Sequence, residues 1–262
     1  MVGKNLKLIF SYLKLNMQKE LEYKTSFVLK VFMMILNNAF FILQWYIIFS
    51  ITDSIGGYEF NDVLLIWGLS AGSYGVAHLL FGNAFYIEEL VYEGKLDVYL
   101  TQPKNVLINL CSSYSSVSAI GDIAYCFVAL FIIGAPWWWF IAVIPISILG
   151  GIIYASCIVT LQSLSFYIKR GGAVADTVSS AITMFGTYPG SIFKGFAKFL
   201  LYTIIPVGFI IYSPAENIFM SFNIYGILLM VGVTIFWVVL AFVSFNKGLK
   251  RYNSGNLMGG RV

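Results

Sequence analysis

The run FVLKVFMMILNNAFFILQWYIIFS, residues 27–50, is long enough to cross the hydrocarbon of a bilayer and contains a single charged residue, Lys30. A crossing helix needs ~20 predominantly apolar residues. Runs of that grade recur along the chain, and lipid-exposed backbone of this length must satisfy its own hydrogen bonds, which makes the runs helices. The composition follows the same logic. Hydrophobic residues make up 59% and charged residues 11%, less than half the ~25% charged fraction of soluble domains. The expected fold is therefore an all-α polytopic membrane protein, with residues 1–262 as one transmembrane domain.

Six transmembrane helices are the most economical division, at about 27–50, 62–85, 117–134, 140–167, 172–190 and 223–245. The apolar stretch 196–215 is interrupted by Pro206 and Gly208, and its unbroken part, 199–205, is too short to cross alone. It reads as a re-entrant hairpin or interfacial pair within 191–220, tolerable where protein covers the freed backbone groups. Loops 51–61 and 135–139 contain no Lys or Arg. With both termini cytoplasmic, all but Lys194 and Lys198 of the 16 Lys and Arg lie inside, as the positive-inside bias requires. The competing division places those two inside, which makes 173–198 a cytoplasmic element and 199–212 a very short span. Trp137, Trp138 and Trp139 sit at an outer corner where an interfacial aromatic belt belongs.

Ahead of the first span, residues 1–26 form an amphipathic helix candidate. Lys4, Lys7, Ser11, Lys14, Gln18 and Glu22 fall in one arc at helical spacing, with Leu6, Phe10, Leu13, Met17 and Leu21 elsewhere. Such a helix lies in the membrane interface, or only positions the first span. The segment has no short apolar core followed by a small-residue cleavage site, so it is not read as a cleaved signal peptide.

Several chemistries are missing. No G-x-x-x-x-G-K-[ST] phosphate loop occurs, so the chain is not read as an enzyme with its own ATPase site. His78 is the only histidine and lies among Ala77, Leu79 and Leu80. It is expected to be a hydrogen-bonded packing residue rather than a metal ligand, since a metal site needs companion donors. Cys111, Cys126 and Cys157 are expected to be buried free thiols. The basic residues lie at span ends instead of forming a basic face, which argues against nucleic acid. Asp122 in the third span and Asp176 in the fifth are intramembrane polar candidates. Carboxylates at that depth face protein or water and serve either a proton or substrate site or an inter-helix hydrogen bond. For Asp122 the hydroxyls of SSYSSVS, residues 112–118, are available partners.

Between the second and third spans, residues 86–112 carry a mixed-charge insert, EELVYEGKLDVYLTQP at 88–103. Gly94 and Pro103 punctuate it, and Leu96, Tyr99 and Leu100 recur at a spacing that lets a short helix bury one face. A half-apolar helix standing off the membrane suits docking into a partner's groove; the alternative is a solvated interfacial loop.

With YEGKLDVYLTQPKNVL, then SVSAIGDIAYCFVAL, then FGTYPGSIF and FLLYTIIPVGFIIYSPAENI, the chain resembles the type-2 ABC transporter permease family, the six-span transmembrane subunits of ABC exporters. The resemblance implies that 86–112 is a cytoplasmic coupling loop touching an ABC ATPase subunit. Glu88, Glu89, Gly94, Leu96, Asp97, Leu100 and Pro103 would be its ATPase-coupling residues. Gly121 and Asp122 match a following Gly-Asp. Tyr188, Pro189, Pro206, Pro214 and Glu216 match an external re-entrant block, with Ala215 between the last two, which favours placing Lys194 and Lys198 outside. Family members often carry a basic residue where this chain has Gln102. The resemblance further implies two ATPase copies per complex, a second permease (identical or related), contact with membrane lipid, and no cofactor on this chain, ATP and Mg belonging to the ATPase. The function so implied is ATP-driven outward transport. The aromatic-rich spans suggest a hydrophobic or amphipathic substrate, and few Cys with many Asn, Lys, Ile and Tyr fit a bacterial plasma membrane. An ion-coupled secondary transporter using Asp122 and Asp176, or a non-transporting membrane scaffold, are the other readings.

Overall fold

The computed structural model describes residues 2–253; Met1 and the stretch 254–262, with Arg261, lie outside the described residues. The chain is helical nearly throughout, and no β-strand forms among the described residues. Among the described residues, four helices are long and apolar enough to cross a membrane: Lys24–Phe49, Phe60–Tyr92, Trp137–Phe166 and Ile224–Leu249. Two bent pairs pass the same test jointly, Val106–Ser112 with Val117–Ile133 at 77° and Gly195–Thr203 with Gly208–Met220 at 79°.

The first helix, α1 (Val2–Glu22), breaks at Tyr23 into α2 (Lys24–Phe49). Then come α3 (Phe60–Phe81), which passes through a 3-10 turn at Gly82–Tyr86 into α4 (Ile87–Tyr92), and α5 (Asp97–Leu100) and α6 (Val106–Ser112). The remaining α-helices are α7 (Ile120–Ile133), α8 (Trp137–Gln162), α9 (Gly172–Phe185), α10 (Gly195–Thr203) and α11 (Ile224–Leu249). Sequence expectation and structure agree closely for the spans at α2, α3, α8 and α11. The expected span at 117–134 is a 3-10 turn, Val117–Ala119, followed by the 14 residues of α7, and it reaches crossing length only together with α6. The expected span at 172–190 is helical only over the 14 residues of α9. At 1.5 Å per residue that covers ~21 Å, short of the ~30 Å hydrocarbon, and Gly186–Ile192 continue it as turns and a 3-10 turn.

The centre of the bundle is α3, packed against α7 on one side and α8 on the other. Close approach is achieved with small residues: a Cβ on Gly68 would meet Ala129 and one on Gly151 would meet Val76, the small-residue packing that membrane helices use in place of a hydrophobic drive. The corner GAPWWW turns on Gly134, whose φ of +69° caps α7. That left-handed conformation costs a residue with a Cβ ~1–2 kcal/mol. Pro136 then starts α8, and Pro145 lies within that helix.

Contacts sort the connecting segments into two ends. At the basic end, Tyr12 of α1 donates to Asn109 (2.8 Å) and Asn16 to Ser115 (3.1 Å), so α1 is tied to α6. Phe166 meets Phe245 and Tyr252 there. At the aromatic end, Trp138 and Trp139 pack on Phe219, and Tyr58 donates to Glu216. The segment before α10 also belongs to this end, since a Cβ on Gly56 would reach Ile192 at 3.5 Å.

Outward faces are apolar. In α2 only Asn38 and Trp45 are buried, while Leu29, Phe32, Met33, Phe40 and Ile47 are more than half exposed. α11 exposes Leu228, Ile235, Phe236 and Val239 in the same way.

Candidate functional site: the segment between α3 and α7

The charged insert has a small core of its own. Ala84, Ile87, Leu90, Val91, Leu96, Leu107, Leu110 and Cys111 pack together with Val159 of α8 and Ala241 and Phe245 of α11. The segment is thus seated on the ends of two long helices. Gly94 reverses the chain between α4 and α5 with φ +69°, and the Leu96 amide donates back to the Leu90 carbonyl at 3.2 Å.

This geometry corrects the expected helix face. α5 has only four residues, and its apolar side chains split. Leu96 is fully buried and unavailable to a partner, whereas Leu100 is 40% and Val98 60% exposed. Tyr99 turns inward, where its hydroxyl lies 2.9 Å from that of Ser113, and Asn83 donates to Ser113 at 2.7 Å. Pro103 is exposed, as is Glu89, while Glu88 and Asp97 are half-buried. The outward surface therefore consists of Val98, Leu100, Thr101, Pro103 and Lys104, with Lys95 beside Glu93 in an exposed ion pair.

Gln102, where a basic residue was the family expectation, is used internally. Its Oε1 accepts from Asn109 Nδ2 at 3.0 Å and its Nε2 donates to the Val98 carbonyl at 3.2 Å. Since Asn109 also accepts from Tyr12, one chain of hydrogen bonds joins α1, α6 and the outward tip.

Two further ties hold the segment to the loop after α8. The Gln162 side chain bonds both sides of the junction into α4. The Tyr92 hydroxyl accepts from the Arg170 amide at 2.8 Å and donates to the Ile168 carbonyl at 3.3 Å. Tyr252, just past α11, faces Asp97; burial pushes its hydroxyl up to about 12, and the Asp97 carboxylate adds to the shift. Beside a carboxylate the neutral phenol is the favoured form.

The other candidates lie elsewhere. Asp122 is buried, 6% exposed, and faces Asn38 of α2 rather than the serines before it. The close approach of Gly121 to Met34, 3.0 Å from an added Cβ, brings the two helices together there. Asp176 is exposed on α9, which packs on α8, so the two carboxylates do not converge. Tyr188 packs edge-on to Trp45, ring centroids 5.9 Å apart. Pro189, Pro206 and Pro214 are buried and Glu216 is exposed. His78 is a packing residue as expected: its ring stacks between Tyr74 and Phe85, and Nδ1 donates to the Tyr74 carbonyl at 3.1 Å. The three cysteines are buried and free.

Sequence reasoning missed Gln162, Asn38, Tyr92 and Tyr58. A signal existed for the first two, because an amide inside a membrane-grade run demands a partner. Nothing local singles out Tyr92 or Tyr58.

A bundle of long apolar helices with a polar segment standing off one end defines a polytopic helical membrane protein. A family profile described as ABC-2 family transporter protein matches residues 34–255, and the chain belongs to that family as its transporter membrane domain. No curated protein matches the chain, and no solved structure does.

Proposed function

We propose that the chain is the membrane-spanning permease subunit of an ABC exporter and that residues 86–112 form its cytoplasmic coupling loop. The observation that carries this reading is the division of labour in the loop. Leu96 and its neighbours anchor it to α8 and α11, while Val98, Leu100, Pro103 and Lys104 are left facing outward. An exposed apolar tip on an anchored arm suits insertion into a groove of an ATPase subunit, two copies of which would supply the ATP and Mg chemistry. A second permease, identical or related, would cover part of the apolar faces of α2 and α11, and lipid the rest.

In this reading the basic end is cytoplasmic, with both termini, in a bacterial plasma membrane. The same reading has six crossings, about 172–190 being the fifth. The pair α10 and 208–220 is then an external re-entrant element, supported by its beginning near Gly56 and ending near Tyr58 and Trp139. The cargo is hydrophobic or amphipathic. An ion relay through Asp122 and Asp176 has no geometric support, because one is buried and the other exposed on a different helix.

The test is co-purification of the chain with an ABC ATPase, reconstitution in liposomes, and measurement of ATP-dependent efflux of amphipathic dyes. Efflux that follows an ion gradient and ignores ATP overturns the proposal.

A further inference from the structure

A glutamine with 2% of its surface exposed, in a chain this apolar, is destabilising unless its amide is fully used. Gln162, the last residue of α8, uses both halves. Its Nε2 donates to the Phe85 carbonyl at 3.0 Å and its Oε1 accepts from the Glu88 amide at 3.0 Å. Those two backbone groups straddle the point where the 3-10 turn Gly82–Tyr86 passes into α4. At such a junction the helical ladder leaves donors and acceptors unpaired. The side chain therefore replaces the missing rungs and joins segments 77 and 74 residues apart.

The clip has no slack. Gly172, which opens α9, presses against it so closely that an added Cβ would come within 2.7 Å of Gln162 Oε1 and 2.8 Å of Glu88 Cβ. The end of α8 and the starts of α9 and α4 thus meet around one buried amide. From that point α8 runs back through 26 residues to Trp137, ~39 Å at 1.5 Å per residue. Its far end packs Trp139 edge-on to Phe219, centroids 5.1 Å apart. Tyr92 makes the other direct tie, to Arg170 and Ile168, but in an exposed setting where water competes. Buried hydrogen bonds in low dielectric resist rearrangement more strongly.

We propose that Gln162 is the positioning residue through which movement of the segment at 86–105 is delivered to α8 and, along that rod, to the segment around Phe219 at the opposite end. This rests on the coupling reading given above.

The test uses the chain with its co-purified ATPase in lipid nanodiscs. Lys194→Cys, exposed at the start of α10, reports on the far end by its rate of labelling with a fluorescent maleimide, with and without ADP plus vanadate. The parent is expected to change its labelling rate on trapping. Gln162→Met keeps the volume and loses both hydrogen bonds; it is expected to hydrolyse ATP with unchanged KM while the labelling response is lost. Gln162→Glu retains an acceptor for the Glu88 amide and is expected to recover part of the response. A full response in Gln162→Met overturns the proposal, and so does a fall in thermal stability with the response intact, which is what a merely structural residue would give. If Gln162→Met does not assemble, Gln162→Glu is read in its place: a reduced response supports the clip and a full one overturns it. A parent complex with no response overturns the coupling reading and the clip together, whereas a responsive parent with a responsive Gln162→Met overturns the clip alone.

Discussion

Tyr58 donates its hydroxyl hydrogen to the Glu216 carboxylate at 2.5 Å, across 158 residues of chain. The loop between α2 and α3 is thereby fastened to the return segment after α10. Tyr58→Phe removes the donor and leaves the ring in place. A hydrogen bond to an ionised acceptor contributes ~1.5–3 kcal/mol when buried; because Glu216 is exposed, about 1 kcal/mol is expected here. A lowered melting temperature in detergent, with Glu216→Gln losing less, checks it.

Leu96 and Leu100 make opposite predictions. Leu96→Ala removes a side chain with no exposed surface and should cost about 2–5 kcal/mol, read as a large drop in melting temperature. Leu100→Ala, at 40% exposure, should leave melting within ~0.5 kcal/mol of the parent while weakening capture of the ATPase. Equal melting losses in the two variants would contradict the anchor-and-tip arrangement.

Gly94 sits at φ +69°. Gly94→Ala should therefore destabilise the reversal between α4 and α5 by about 1–2 kcal/mol. Faster proteolysis near Gly94 by a limiting protease in detergent is the expected signature.

Asp122 faces the Asn38 amide, and the ion pairs found among the described residues, Lys30–Glu20 and Lys95–Glu93, do not include it. Asp122→Asn preserves a hydrogen-bonding group of the same shape and should change stability by less than about 1 kcal/mol. Asp122→Lys buries a cation without a partner and should prevent accumulation of folded protein. Loss of the folded peak on size exclusion for Asp122→Asn would show that the carboxylate charge itself is required.

Tyr252 carries a pH dependence. Its hydroxyl is raised from 10 to about 12 in the fold, by burial first and by Asp97 second. The fold thus favours the protonated phenol. That contribution is complete below pH 10 and is lost as pH rises through about 12. The tyrosinate absorbance of the parent minus that of Tyr252→Phe should show a transition near the upper value.

Much of the architecture was legible in the residues. Runs such as 27–50 and 223–245 must become helices, because the bilayer offers backbone groups no other partner. The placement of Lys and Arg sorted the two ends, and the contacts among Tyr12, Asn109, Phe166 and Tyr252 gather the same segments at one end. The insert at 88–103 was visible as a polar interruption.

Tertiary packing decided the rest. Spacing placed Leu96, Tyr99 and Leu100 on one helix face, yet α5 is a single turn, and the core beneath it took Leu96 and left Leu100 outside. Periodicity predicts a face only where a helix is long enough to have one. Apolarity suggested a full span at 172–190, but Gly186 to Ile192 leave the helix to meet α2 and the 51–59 loop. The partners of Gln162 and Tyr58 lie 74 to 158 residues away. Composition determines which side chains need partners, because an unpaired polar group in an apolar interior is costly. Which partner each one finds is settled when helices that share no local sequence signal are packed against each other.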